Sequence, residues 1–168
     1  LTSINYLHVV VTGCGGFIGN YLVKKLLKGG HFVYGYYRNK VPKNILGLKN
    51  VIGKKIDLVN LKQIDHPANL VIHCAAEQPE TNTNLDVMME TNISACRAIF
   101  ETSYKHGVKK FIYLSSMAIY GKIKSSLVDE KTPINKPNEY GMSKFHGEKI
   151  LSDVCTNDTS IESIILRL

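Results

Sequence analysis

The sequence has only four cysteines, and no two of them have the spacing of a zinc-binding pair. It therefore predicts no metal site, and the cysteines are expected to be reduced thiols of the kind found in cytosolic proteins. It also lacks a secretory signal peptide and an apolar run long enough to span a bilayer. These absences argue against a membrane protein and predict a cytoplasmic location.

The chain has no concentrated basic stripe, although its net charge is +7 from 21 Lys and Arg against 14 Asp and Glu. The lysines are scattered, and aromatic residues do not alternate with them as in nucleic-acid-binding surfaces. We therefore expect no nucleic-acid partner. The excess charge is interpreted as a solvated basic surface that helps to attract an anionic ligand.

Internal repeats and low-complexity linkers are absent as well, and 168 residues with 44% hydrophobic content predict one folded domain over residues 1–168. The sequence begins at Leu1 rather than methionine and ends inside an apolar strand, Ile164–Leu168. We expect a fragment of a longer protein.

What the chain does have is a glycine-rich turn between a short apolar strand, His8–Thr12, and a helix expected over Phe17–Lys28. The spacing is Gly13-x-x-Gly16-x-x-Gly19; a Walker loop would need Gly-Lys-Ser/Thr, which is missing. Such a turn offers free backbone N–H groups and the positive end of a helix dipole, which suit a diphosphate. The alternative is a strand–helix turn that is merely rich in glycine.

Strands and helices alternate along the rest of the chain, which predicts βαβ units and a doubly wound parallel α/β sheet in the order 3-2-1-4-5-6. The other strands are expected at His31–Tyr37, Val51–Ile56, Asn69–Ala76, Lys109–Ser115 and Ile161–Leu168. The other helices are expected at Asn84–His106 and Tyr140–Val154, with a helical turn or short helix at Asn60–Ile64.

A second group of polar residues follows the fifth strand. Tyr140 and Lys144 are four residues apart on one predicted helix, where a nearby ammonium favours the phenolate form and makes Tyr140 a candidate acid/base. Ser115 and Ser116 leave the carboxyl end of the fifth strand, where α/β sheets bind ligands. The alternatives are a surface Tyr–Lys pair and serines that cap the end of the strand.

Together these motifs resemble the extended short-chain dehydrogenase/reductase family, the NAD-dependent epimerase/dehydratase group. The long gap between Ser116 and Tyr140 is similar to that in the extended branch. The resemblance covers nearly the whole chain, and its pieces are Thr12–Gly19, Asp57–Leu58, His73–Ala76, Asn92, Ser115–Gly121, Tyr140-x-x-x-Lys144 and Leu166–Leu168.

The resemblance implies a Rossmann fold and an NAD(P)-dependent nucleotide-sugar epimerase or reductase. It makes Ser116 the catalytic serine, Tyr140 the acid/base, and Lys144 the residue that holds the nicotinamide ribose. Met117 and Ala118 stand where dehydratases typically carry acidic residues, which argues against a dehydratase. The cofactor contacts that it implies are Gly13, Gly16, Phe17, Ile18, Gly19, Asp57, Leu58, Ala75, Ala76 and Asn92, together with Tyr140 and Lys144.

The resemblance further implies a homodimer through the helices at Asn84–His106 and Tyr140–Val154. It places most of the substrate-binding part after Leu168, outside this sequence. A non-catalytic dinucleotide-binding sensor or scaffold of the same fold is the alternative function; such relatives typically lose the tyrosine or the lysine, and both are present here.

The expected end of the second strand departs from the NAD-preferring pattern. An acidic residue usually takes the ribose hydroxyls there, but this chain has Tyr37 followed by Arg38. An arginine can hold a 2′-phosphate with two parallel hydrogen bonds. The sequence therefore favours NADP over NAD, the alternative being an exposed arginine that stacks on the adenine.

Overall fold

The computed structural model describes residues 6–39, 42–80, 84–124, 126–155 and 159–168. In those ranges a six-stranded parallel sheet has the order β3-β2-β1-β4-β5-β6, which confirms the predicted doubly wound architecture. The strands are β1 (His8–Thr12), β2 (Phe32–Tyr37), β3 (Val51–Lys55), β4 (Leu70–His73), β5 (Lys110–Ser115) and β6 (Glu162–Arg167), and the α-helices are α1 (Phe17–Lys28), α2 (Leu85–His106) and α3 (Glu139–Cys155).

The core forms two layers, one on each face of the sheet. Successive strand side chains point to opposite faces, so in β1 Val10 belongs to one layer and Val9 and Val11 to the other. Val23 of α1 packs in the layer of Val9, whereas Ile99 of α2 packs in the layer of Val10. Helices therefore cover both faces, as a buried parallel sheet requires.

Local sequence signals explain the ends of α2. The Asn84 side chain caps the helix by accepting a hydrogen bond of 3.1 Å from the Val87 N–H. Gly107 ends it in the left-handed conformation, at φ 79°, which glycine adopts without steric cost. The predicted boundary at His106 is confirmed.

Two predicted elements have an end that is wrong by more than one residue. The sequence predicts a helical turn or short helix at Asn60–Ile64. A single 3₁₀ turn lies earlier, at Leu58–Asn60, because the Asp57 carboxylate accepts hydrogen bonds from the Val59 N–H and the Asn60 side chain. β4 ends at His73 and not at Ala76, because the Ala75 N–H donates to the side-chain hydroxyl of Thr12 rather than to a backbone carbonyl of a neighbouring strand.

α3 packs closely against β5 and against the 3₁₀ turn that follows it, Met117–Tyr120. At two positions of α3 the approach leaves no room for a side chain. A Cβ at Gly141 would overlap the Ala118 carbonyl, and one at Gly147 would overlap the Tyr113 hydroxyl. These two glycines therefore fix the distance between α3 and the carboxyl end of β5.

Candidate active site

A cavity of about 470 Å³ lies at the carboxyl ends of β1, β2, β3 and β4, a volume within the range of small-molecule sites. Its lining comes from the glycine turn after β1, from the segments that follow the other three strands, and from one side of α2. Of the predicted cofactor contacts, those that line it are Gly13, Gly16, Arg38, Asp57, Leu58, Ala75, Ala76 and Asn92.

The glycine turn is closed so tightly that side chains are excluded from it. Gly13 has φ 68°, and a Cβ there would lie 2.9 Å from the Ala75 backbone. The Gly16 N–H donates to the Gly13 carbonyl at 2.9 Å, and α1 starts at the next residue without a side-chain cap. The first-turn N–H groups of α1 have no carbonyl partners within the helix, so this end can receive an anion.

Three predicted cofactor contacts, Phe17, Ile18 and Gly19, are not among the described residues that line the cavity. Phe17 is 93% exposed and Ile18 is 42% exposed, so only their backbone N–H groups in the first turn of α1 could face an anion. Gly19 is buried, and a Cβ there would overlap the Gly13 carbonyl. Its observed role is to let α1 pack against the turn.

A buried hydrogen-bonded pair holds the segment after β4 in place. The Thr12 hydroxyl lies 2.7 Å from His73 Nδ1 and accepts a hydrogen bond of 3.1 Å from the Ala75 N–H. Burial, with a smaller contribution from the Lys144 ammonium, lowers the pKa of His73 to about 3. His73 is therefore neutral at physiological pH, and the pair orients the backbone that forms the cavity wall at Ala75.

Asn92 connects the cavity wall to α3. Its side chain accepts from the Glu77 N–H at 2.7 Å and donates to the Glu77 carbonyl at 3.1 Å and to the Ser143 hydroxyl at 3.2 Å. The Ser143 hydroxyl in turn donates to the Tyr140 carbonyl at 2.8 Å. A single amide thus ties the loop after β4 to the helix that carries Tyr140.

Tyr140 and Lys144 lie beside the cavity and are not among the described residues that line it. The Tyr140 hydroxyl accepts a hydrogen bond of 3.0 Å from Gln78, the residue after Glu77 in the cavity wall. Lys144 Nζ lies 5.8 Å from the centre of the Tyr140 ring and donates to the Leu114 carbonyl at 2.8 Å. Burial lowers the pKa of Lys144 to about 8, so the ammonium predominates at neutral pH and keeps two N–H groups for other acceptors.

The two serines after β5 have different partners. The Ser116 hydroxyl accepts from the Ala118 N–H at 3.2 Å and caps the 3₁₀ turn, whereas the alternative considered from the sequence was a cap on the end of the strand. That hydroxyl still carries a hydrogen that it can donate. Ser115 instead donates to the Glu148 carboxylate at 2.5 Å and is buried, so Ser116 is the better candidate for contact with a ligand.

Sequence reasoning missed the partners of Ser115 and Arg167. The Arg167 guanidinium forms hydrogen bonds of 3.0 and 2.7 Å with the Glu148 carboxylate and one of 2.7 Å with the Tyr120 hydroxyl. Its pKa is raised chiefly by the hydrogen bond to Glu148. This network joins β6 to α3 and to the turn after β5.

Glu77 was also missed. It lines the cavity and forms an ion pair with Arg38, so a carboxylate is present at the site although none follows β2. The only sequence signal for it was its position directly after Ala75 and Ala76, at the expected end of β4.

The cysteines of the described ranges are free thiols. Cys74 lines the cavity, and burial raises its pKa to about 12, so it is protonated and unsuited to act as a nucleophile.

No cluster of three metal-ligating side chains occurs among the described residues. Within the same ranges, every helix is too short or too polar to cross a bilayer. The cytoplasmic location stays a prediction.

Comparison with known proteins gives consistent matches. The sequence profile described as the NAD dependent epimerase/dehydratase family matches residues 9–168. The chain is 30% identical to the UDP-glucose 4-epimerase of Dictyostelium discoideum over 95% of its own length and 50% of that protein. It thus spans about half the length of the curated relatives that it matches.

Solved structures show the same fold. The UDP-glucose 4-epimerase of Bifidobacterium longum, in complex with NAD⁺ and UDP, superposes with a TM-score of 0.81 at 29% identity, over 95% of this chain and 52% of that one. The UDP-glucose 4-epimerase of Thermotoga maritima, with UDP-glucose, gives 0.82 at 26% identity, over 96% and 55%.

Proposed function

This chain belongs to the NAD-dependent epimerase/dehydratase family, and we propose that it is the dinucleotide-binding and catalytic part of a nucleotide-sugar epimerase or reductase. One observation carries the proposal. The cavity over the bare glycine turn and the Tyr140–Lys144 pair are joined through Asn92 and Gln78 to the same segment after β4. A ligand in the cavity would therefore have an acid/base group at its edge.

A nicotinamide dinucleotide fits the residues that are present, because a Cβ would fill the turn at Gly13 and none is there. The backbone from Gly13 to Ile18 would hold the diphosphate, Asp57 and Leu58 the adenine, and Lys144 the nicotinamide ribose. Ala75 and Ala76, which have small side chains, form one wall. When bound, the dinucleotide supplies or accepts a hydride.

The chain's own residues would manage the substrate proton. The Tyr140 hydroxyl accepts or donates the proton of the reacting sugar hydroxyl, and the Ser116 hydroxyl donates a hydrogen bond to that same oxygen. The Lys144 ammonium, held by the Leu114 carbonyl, lies 5.8 Å from the centre of the Tyr140 ring and would bind the nicotinamide ribose beside it. The relatives' UDP-sugars support a nucleotide sugar as the substrate class.

NADP is proposed as the favoured form of the cofactor, with NAD as the alternative. Arg38 lines the cavity, and Tyr37 occupies the place at the end of β2 where NAD-preferring members usually carry an acidic residue for the ribose hydroxyls. Separate fluorescence titrations of the full chain with NADPH and NADH test this preference. Equal or tighter binding of NADH would contradict it.

Tyr140→Phe tests the catalytic proposal in the full-length protein. We expect turnover of a UDP-sugar to fall at least 100-fold, because acid/base groups contribute about 10²- to 10⁴-fold, while the Kd of the dinucleotide changes little. Tyr21→Phe is the matched control, since Tyr21 is 58% exposed on α1. Unchanged turnover in Tyr140→Phe would remove this residue from the mechanism, and tight dinucleotide binding without any turnover would favour the non-catalytic sensor or scaffold.

We also propose a homodimer through α2 and α3. α2 is 22 residues long, and its exposed side carries Val87, 55% exposed, and Tyr104, 38% exposed. These apolar side chains would be covered by a second copy.

A further inference from the structure

Arg38 and Glu77 form an ion pair between two segments that line the cavity. Arg38 follows β2 and Glu77 follows β4, and β1 lies between those two strands in the sheet. The pair therefore spans the carboxyl end of β1, where the glycine turn begins. A dinucleotide lying over that turn would meet both side chains.

Glu77 is the fixed member of this pair. Its backbone N–H and carbonyl are both bound by the side chain of Asn92, which is itself 7% exposed. The Glu77 side chain is 29% exposed and that of Arg38 is 54% exposed. The arginine can therefore move toward a ligand more easily than the carboxylate can move away.

The distribution of charge in the sequence makes Glu77 the natural partner of Arg38. Asp57 is the first acidic residue of the chain, so residues 1–56 contain no carboxylate side chain. Asp57 itself is engaged by the Val59 N–H and the Asn60 side chain. The partner of Arg38 comes instead from the other side of β1.

On the basis of the proposed dinucleotide function, we propose that Glu77 sets the cofactor specificity of this site by occupying Arg38. A carboxylate accepts hydrogen bonds from ribose hydroxyls but repels a 2′-phosphate. Because Arg38 pairs with Glu77, a 2′-phosphate must compete with a carboxylate for the guanidinium. Glu77 thus limits the preference for NADP that Arg38 alone would give.

Removing the carboxylate tests this inference directly. In fluorescence titrations of the full chain with NADPH and NADH, Glu77→Gln should raise the ratio Kd(NADH)/Kd(NADPH) about tenfold, since a like charge is lost and the guanidinium is released. Arg38→Met should lower the ratio below that of the unmodified chain. In the double variant, Glu77→Gln should have a clearly smaller effect on the ratio, because the arginine through which it mainly acts is missing and only the direct repulsion of the 2′-phosphate remains.

Glu90→Gln is the matched control, since it makes the same change in net charge at an exposed position on α2. An unchanged ratio in Glu77→Gln, a shift equal to that of Glu90→Gln, or a full Glu77→Gln effect in the Arg38→Met background would overturn the inference. Binding of both dinucleotides with an unchanged ratio would leave the proposed function standing. If neither dinucleotide bound, the proposed function and this inference would both be wrong.

Discussion

At the scale of single residues, the buried ammonium of Lys144 is tolerated because it has specific partners. Lys144 is 3% exposed, and its ammonium donates to the Leu114 carbonyl and lies 5.0 Å from the centre of the Tyr113 ring. Burial lowers its pKa only to about 8, so the charge survives at neutral pH. A buried charge that costs stability and faces a candidate acid/base is typical of a functional site.

Because burial lowers the pKa of His73, we expect the folded chain to lose stability measurably in mild acid. Its pKa is about 3 in the folded chain against an ordinary value of 6.5, so between these values the unfolded chain binds a proton that the folded chain does not. The free energy of unfolding should therefore decrease as the pH falls below 6.5, by up to about 1.4 kcal/mol per pH unit from this residue, and the contribution should be complete above pH 6.5. Urea unfolding at pH 7, 6 and 5 measures it.

His73→Asn removes the titrating group while retaining an acceptor for the Thr12 hydroxyl, so its stability should depend less on pH in this window. His106→Asn, at the exposed end of α2, should keep the slope of the unmodified chain. An identical slope in His73→Asn and the unmodified chain would contradict the assignment.

At the scale of elements, the placement of α3 depends on Gly141, which has no side chain that could take part in catalysis or binding. Gly141→Ala would push a Cβ into the Ala118 carbonyl, and backbone cannot move aside as a flexible side chain can. We expect the variant to lose about 1–3 kcal/mol of stability. We also expect its turnover to fall in the full-length protein, since Tyr140 would shift relative to Ser116. Chemical denaturation and the UDP-sugar assay measure the two effects.

Gly29→Ala provides the control for that prediction. Gly29 has φ −76°, and its nearest contacts, at 3.3 Å, are the His31 side chain and the Leu26 carbonyl. Its stability should change by less than about 0.5 kcal/mol. Equal losses in the two variants would contradict this prediction, since the overlap with the Ala118 carbonyl occurs only at Gly141 and helix propensity favours alanine over glycine.

The same scale shows how far the sequence could predict this molecule. The strand order was predictable from the alternation of strands and helices, and the span of α1 from the two glycines that follow it, Gly29 and Gly30, because glycine commonly ends a helix. The end of β4 was not, because the hydrogen bond from the Ala75 N–H to the Thr12 hydroxyl joins residues far apart in sequence.

The candidate site divides in the same way. Gly13, Gly16 and Arg38 could be predicted from their positions after β1 and β2. Glu77 and Glu148 could not be predicted, because each forms an ion pair with an arginine that is distant in sequence and is brought close only by the fold. Contacts between side chains on separate elements produce no periodic pattern in the sequence, so sequence periodicity cannot predict them.

At the scale of the whole molecule, α2 and α3 pack on one face of the sheet and the proposed dimer would use their outer sides. Ser94 lies exposed near the middle of α2, so Ser94→Arg would place a large charge at the centre of that surface. If the dimer forms there, sedimentation should give a dimer for the unmodified full-length protein and a monomer for the variant, because an unpaired buried charge costs more than a packed helix pair gains.

Ser126→Arg, in an exposed loop, makes the same substitution away from α2 and should stay dimeric. A monomer at all concentrations in the unmodified protein, or a dimer that survives Ser94→Arg, would contradict this interface. Because Asn92 on the same helix ties the cavity wall to α3, loss of the dimer should also loosen the site. We therefore expect the Kd of the dinucleotide to increase in the monomeric variant and to stay unchanged in the loop control.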